Sequence, residues 1–111
     1  MNNEELVNSI SDYMQMQDRY LEYLEEYFEF IKYRNITRVS EIEHLLDTVL
    51  SMVQTDKTKD LYIRICKYYH VINKEGASDY AKFYFEMYED DTVVKEINDL
   101  EKRVRGYGRI L

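Results

Sequence analysis

Residues 3–33 read NEELVNSISDYMQMQDRYLEYLEEYFEFIKY, and the reading of this stretch decides the fold. Val7, Met14, Leu21 and Phe28 stand in one column of a heptad. Ile10, Gln17, Leu24 and Ile31 form a second column three residues on, and Leu6, Tyr13, Tyr20 and Tyr27 a third, one residue before the first. Eleven of these twelve positions are apolar or aromatic, and Gln17 alone interrupts them. A stripe with a period of about 3.5 to 3.6 residues is one face of an amphipathic helix. Asp12, Asp18, Glu22, Glu25, Glu26 and Glu29 take the opposite side. Asn2 or Asn3 suits the N-cap, with Glu4 and Glu5 well placed in the first turn. At ~1.5 Å per residue the helix is roughly 45 Å long, and it is expected to fade at Tyr33–Asn35.

Outward from this helix the chain keeps to helical periods. It has no proline and three glycines in 111 residues, too few breakers for a turn-rich fold. Ser40-Glu41-Ile42-Glu43 predicts a capping box that opens a second helix over 41–54, with Ile42, Leu45, Leu46, Val49, Leu50 and Val53 on one face. A third helix is expected over 58–73, starting near Asp56 or Thr58, with Leu61, Ile65, Tyr68, Tyr69 and Ile72 as its stripe. Asn73-Lys74-Glu75-Gly76 predicts a stop, with Gly76 in the left-handed region. Ser78 is the expected cap of a fourth helix over 79–90, where Tyr80, Phe83, Tyr84, Met87 and Tyr88 share a face. Acidic residues close it, so a break is expected near Asp90–Thr92. A fifth helix follows over 93–105, and Gly106-Tyr107-Gly108 is expected to end it and leave a basic tail at 106–111.

The expected fold is therefore all-α: a single helical-bundle domain over 1–111, with one long N-terminal amphipathic helix and three to four shorter helices packed on it. Each shorter helix covers about half of the first. Either the short helices stack in two tiers, or part of the stripe is left as an exposed apolar strip, which monomers avoid. Gln17 is then either a polar, register-setting position in a seam or a solvent-facing gap between tiers.

The formal net charge is −7, unevenly placed. Residues 1–33 hold eight acidic and two basic side chains, and residues 34–111 hold 14 and 13. Residues 102–111 carry Lys102, Arg103, Arg105 and Arg109 with no acid. The twelve tyrosines offer large amphipathic contact area at low entropic cost. The single cysteine excludes an internal disulfide framework. The first ten residues hold no basic side chain, and no apolar run approaches the roughly 20 residues of a membrane span, so a cytoplasmic protein is expected.

No catalytic motif stands out, and no enzyme, metal or cofactor is expected. Cys66 and His70 lie four apart on one helical face, but two ligands do not make a metal site. Glu41-x-x-His44 has half the spacing of a di-iron carboxylate site, and the residue three before His70 is Lys67, so the second half is missing. Glu22, Glu25, Glu26 and Glu29 line a helix surface rather than facing each other across a pocket.

The composition points instead to protein binding. Glu22, Tyr23, Glu25, Glu26, Glu29, Phe30 and Tyr33 fall on the outer side of the long helix. Met16, Tyr23 and Phe30 add an apolar column that the main stripe does not need. Glu86, Glu89, Asp90 and Asp91 form a second acidic group. Carboxylates along a rod steer association with a basic cleft, and aromatics anchor it. In size, charge and composition the chain resembles small acidic phage-encoded inhibitors that occupy a nucleic-acid channel, including those aimed at CRISPR effectors. It shares no motif with them, and the resemblance assigns no residue roles. The expected function is thus a non-catalytic inhibitor or regulator acting on a basic partner. A homo-oligomer built through the long helix is the alternative. A third reading has Lys102, Arg103, Arg105, Tyr107 and Arg109 grip nucleic acid, which the net charge disfavours.

Overall fold

The computed structural model describes the backbone of residues 2–110 and the side chains of residues 2–103. The fold is all-α, with helices α1 (Asn3–Tyr33), α2 (Val39–Leu50), α3 (Asp56–Ile72), α4 (Lys74–Tyr88) and α5 (Thr92–Ile110). The chain divides into two compact units, Met1–Ile36 and Thr37–Leu111.

The first unit is α1. Asn2 caps it: Asn2 Oδ1 accepts from the Glu5 amide at 2.8 Å, and Glu5 Oε2 accepts in return from the Asn2 amide at 3.4 Å. At the other end Asn35 takes a left-handed conformation with φ 51°. The Ile36 amide then donates to the Ile31 carbonyl, and the Asn35 amide to that of Lys32. This is the paired closure in which a short polar residue replaces the usual glycine. Along the helix, Gln17, Leu21, Leu24, Phe28 and Ile31 are buried and Met14 is half-buried. Leu6, Val7, Ile10, Tyr13 and Tyr20, from the same three heptad columns, are exposed. The stripe is thus continuous in sequence, while its buried positions run from Gln17 to Ile31 with Tyr20 exposed among them. Gln17 is 8% exposed, which excludes the solvent-facing gap.

In the second unit α3 is central and packs on α2, α4 and α5, and α4 also packs on α5. α2 begins at Val39, with Arg38 at the N-cap and no side-chain cap. The expected Ser40–Glu43 capping box does not form, because Ser40 lies inside the first turn and Glu43 accepts from Tyr69 instead. α2 also stops at Leu50 rather than at 54. The Gln54 side-chain amide turns back and donates to the carbonyl of Val49 in the last turn and to that of Met52 just beyond it, both at 3.0 Å. Thr55 and Thr58 cap α3 reciprocally.

Asn73 corrects the next boundary. Its backbone ends α3 by donating to the Tyr69 carbonyl at 2.7 Å, and its side chain accepts from the Gly76 amide at 3.0 Å to start α4. α4 therefore begins at Lys74, five residues before the expected start, and Ser78 does not cap it. Gly76 is helical, not left-handed. Its role is proximity: a Cβ there would stand 2.5 Å from the Tyr69 hydroxyl oxygen and 2.7 Å from Cζ. α4 ends at Tyr88, with Glu89 as its left-handed C-cap at φ 53°, and α5 starts at Thr92, where the break is expected. α5 runs to Ile110, past Gly106 and Gly108.

Five tyrosine hydroxyls tie this unit together. Tyr62 donates to the Tyr80 carbonyl at 2.6 Å. Tyr69 donates to Glu43 at 2.5 Å, Tyr80 to Asp47 at 2.9 Å and Tyr84 to Gln54 at 2.9 Å, while Tyr88 donates to the Leu50 carbonyl. The last four acceptors belong to α2 and the turn that follows it. A buried ring contributes apolar area and its hydroxyl must find an acceptor, so each tyrosine both packs and orients. Among the described residues no buried side-chain nitrogen or oxygen lacks a hydrogen-bond partner.

Candidate functional site

An α-helix places residues three and four apart on one line. On α1 that spacing joins Met16, Tyr20, Tyr23, Tyr27 and Phe30 into one row. Met16 is 70% exposed, Tyr23 60%, and Tyr20 and Phe30 about half, with Tyr27 half-buried. The rings stack along the row: Tyr20 on Tyr23 with centroids 6.2 Å apart, and Tyr27 on Phe30 at 6.5 Å. Stacked neighbours hold one another's rotamers, so the row presents a pre-ordered aromatic surface.

The acidic residues flank this row. Glu26 and Tyr33 border it on the helix wheel, and Glu22 and Glu29 lie one step further out; all four are exposed. Glu25 departs from the expected set, being half-buried on the far side of the carboxylate group. Glu29 pairs with Lys32 at 2.7 Å, and the Arg34 guanidinium lies over the Phe30 ring at 5.8 Å. The C-terminal end of the face is therefore less acidic than the middle. Tyr20 and Tyr27, assigned above to the buried stripe, belong to the exposed row. The signal was present in sequence: two columns seven residues apart internally and three or four apart mutually, read together.

The second acidic group is dispersed by its own local chemistry. Asp90 Oδ1 accepts from the Thr92 amide at 2.9 Å and from its hydroxyl at 2.5 Å, and Oδ2 accepts from Lys59 at 3.1 Å. These bonds hold the Asp90 carboxyl down at about pH 2, the Thr92 hydroxyl and amide first among the causes. Asp90 is a helix cap rather than a free contact. Asp91 pairs with Lys95 at 3.1 Å. Glu86 and Glu89 are exposed.

Lys102 and Arg103 are exposed near the end of α5, and Arg105, Tyr107 and Arg109 lie outside the described side chains. Cys66 and His70 are both buried on α3. His70 Nε2 lies 3.4 Å from Glu101 Oε1, and burial pushes the Cys66 thiol pKa up, away from thiolate chemistry. His44 is exposed and Glu41 half-buried on α2. Among the described residues no three His, Cys, Asp or Glu side chains converge to hold a metal ion. A cleft of about 280 Å³ is lined by Lys74, Glu75, Ser78, Asp79, Lys82 and Glu101. Its charges are of both signs and its lining is not apolar, unlike a small-molecule pocket. Among the described residues no helix is long and apolar enough to cross a membrane. Comparison with protein-family models, with curated proteins and with solved structures finds no match to the chain.

Proposed function

We propose that the chain is a non-catalytic protein-binding module whose α1 presents an aromatic, carboxylate-flanked surface to a basic partner. The observation that carries this reading is the exposed row Met16–Phe30 with Glu22, Glu26 and Glu29 beside it. An exposed aromatic row is costly in water and is normally explained by what covers it. Rigid aromatics supply anchoring area, and the carboxylates select a basic rim and speed encounter. In charge, carboxylates set along a rod imitate the phosphates of a nucleic acid. A cytoplasmic nucleic-acid-handling effector is the partner class this reading favours, and small size and acidic charge support an inhibitory role of the phage anti-defence or anti-CRISPR kind.

The test is capture from nuclease-treated host lysate by the tagged chain, beside a variant with Glu22, Glu25, Glu26 and Glu29 changed to Lys. Circular dichroism establishes that both are folded. A nucleic-acid-handling protein retained by the first and lost by the second, and displaced by added nucleic acid, is the expected result. Equal capture by both retires the reading.

A further inference from the structure

The exposed row of α1 brings two chemistries to one place. Glu26 lies three residues after Tyr23 and four before Phe30, so its carboxylate stands beside both exposed rings. Glu22 precedes Glu26 by one turn on the same flank, and Arg19, the one base there, stands at its N-terminal end. The other flank, toward Leu24 and Ile31, is buried. A cation over these rings therefore meets its counter-charge on one side. The ring planes are ordered as well: Tyr20 and Tyr23 lie within 12° of parallel, and Tyr27 and Phe30 within 21°. At the end of the second pair the chain adds a planar cation of its own, the Arg34 guanidinium over the Phe30 ring at 5.8 Å. Away from the row, Lys32 Nζ lies 4.8 Å over Phe28 and is held there by Glu29 at 2.7 Å. The helix thus settles its own cations on its rings twice.

We infer that the row takes arginine side chains of the basic partner in preference to lysine. A guanidinium lies flat on the Tyr23 or Phe30 ring, and its N–H edge donates to Glu26. This inference rests on the proposed function and narrows its partner to a segment that presents arginine. The reason is the pairing of ring with carboxylate. A carboxylate row alone attracts any base of equal charge. A guanidinium is planar and weakly hydrated, so it stacks on an aromatic face while its donors stay free in the plane for a carboxylate. A lysine ammonium is a compact, strongly hydrated point charge, and it gives up more water to lie on a ring. Arg34 on Phe30 is the internal example of the first arrangement, on the same row.

The experiment titrates the purified full chain with two capped peptides of equal length and charge, one alternating arginine with glycine, the other lysine with glycine. Amide NMR shifts at low ionic strength report both affinity and location. The arginine peptide is expected to bind about fivefold or more tightly, with shifts centred on Tyr23, Glu26 and Phe30. Tyr23→Leu with Phe30→Leu keeps every carboxylate and an apolar side chain at each position, and should bring the preference within about twofold. Both rings are exposed, so this variant should fold as the parent does, which circular dichroism verifies. Glu86→Gln with Glu89→Gln, in the second acidic group, should leave the preference intact. Equal affinity for the two peptides overturns the inference. So does a preference that survives loss of both rings, or no binding of either peptide at millimolar concentration. Capture from lysate uses neither peptide, so this inference and the proposed function fail separately.

Discussion

The Tyr69 hydroxyl on α3 donates to Glu43 Oε2 on α2 at 2.5 Å, while Asn73 Nδ2 donates to the same hydroxyl oxygen at 3.3 Å. One phenol thus joins two helices and holds the residue that ends α3 and starts α4. Tyr69→Phe keeps the ring and removes both bonds, leaving Glu43 half-buried without its donor. The expected cost is about 1–2 kcal/mol. Urea denaturation at neutral pH measures it; an unchanged midpoint would mean that the bond adds nothing net.

The tyrosine set also predicts alkaline unfolding. Burial first, then the bond to Glu43, raises the Tyr69 hydroxyl to about 12, and burial takes Tyr84 to about 12. Tyr62 and Tyr80 are raised as well, chiefly by burial. A phenol whose folded pKa exceeds its unfolded value of about 10 contributes its full stability below that pH. The contribution is lost as pH rises from about 10 through 12. The urea midpoint should be level from about pH 7 to 9 and fall above 10, with a shallower fall in Tyr69→Phe and Tyr84→Phe.

Gly76→Ala tests the close approach of α4 to the Tyr69 ring. Helix propensity alone favours alanine by about 1 kcal/mol. The added methyl, however, meets Tyr69 side-chain atoms at 2.5 to 2.8 Å, and that ring is pinned at its hydroxyl. Overpacking of this kind costs about 1–3 kcal/mol, so the variant should melt lower than the parent. Placing Tyr69→Leu in both backgrounds should remove the penalty and reveal the propensity gain.

Asp90 predicts an acid-side effect of opposite sign. Its carboxyl lies at about 2, below the usual carboxylate value, so its contribution is present above about pH 4 and is lost as pH falls toward 2. Asp90→Ala should cost about 1–2 kcal/mol at neutral pH through loss of the α5 cap. Asp90→Asn keeps the acceptor for Thr92 and should cost less. Chemical denaturation at pH 7 and pH 3 separates the two, because the Asp90→Ala penalty should shrink at pH 3.

Cys66 is fully buried, and its thiol pKa is raised by that burial. Its reaction with a disulfide reagent should therefore proceed only through opening of α3. Labelling should be slower than for the denatured chain by several orders of magnitude and should accelerate in destabilised variants. Immediate stoichiometric labelling of the native protein would contradict the packing.

Local signals were the legible ones. The span of α1 follows from a 31-residue periodic stretch between Asn2 and Asn35, and both ends close with side chain or backbone bonds made within a few residues. The break before Thr92 is equally local, since a run of acids opposes the end of one helix and caps the next. Ser40 and Ser78 misled because a hydroxyl with the right spacing is only a candidate cap. Glu43 is drawn to Tyr69 26 residues away, and Asn73 starts α4 earlier than Ser78 can.

The candidate surface was half legible. Tyr23, Phe30 and Tyr33 stand exposed with Glu22, Glu26 and Glu29, as the helix wheel requires. Tyr20 and Tyr27 were hidden in the apolar count, and Asp90 in the acidic count, because composition does not distinguish a contact from a cap or a row from a core.

The sequence by itself determined that the chain is helical throughout, where its long helix begins and ends, and that its acid is concentrated on that helix. These are consequences of period and capping, which act within one or two turns. Only the tertiary structure decided which part of the stripe is buried, why Gly76 is a glycine, and which tyrosines serve as struts. Burial and hydrogen-bond pairing depend on residues brought together from distant positions, and a one-dimensional pattern carries the face of a helix but not what lies against it.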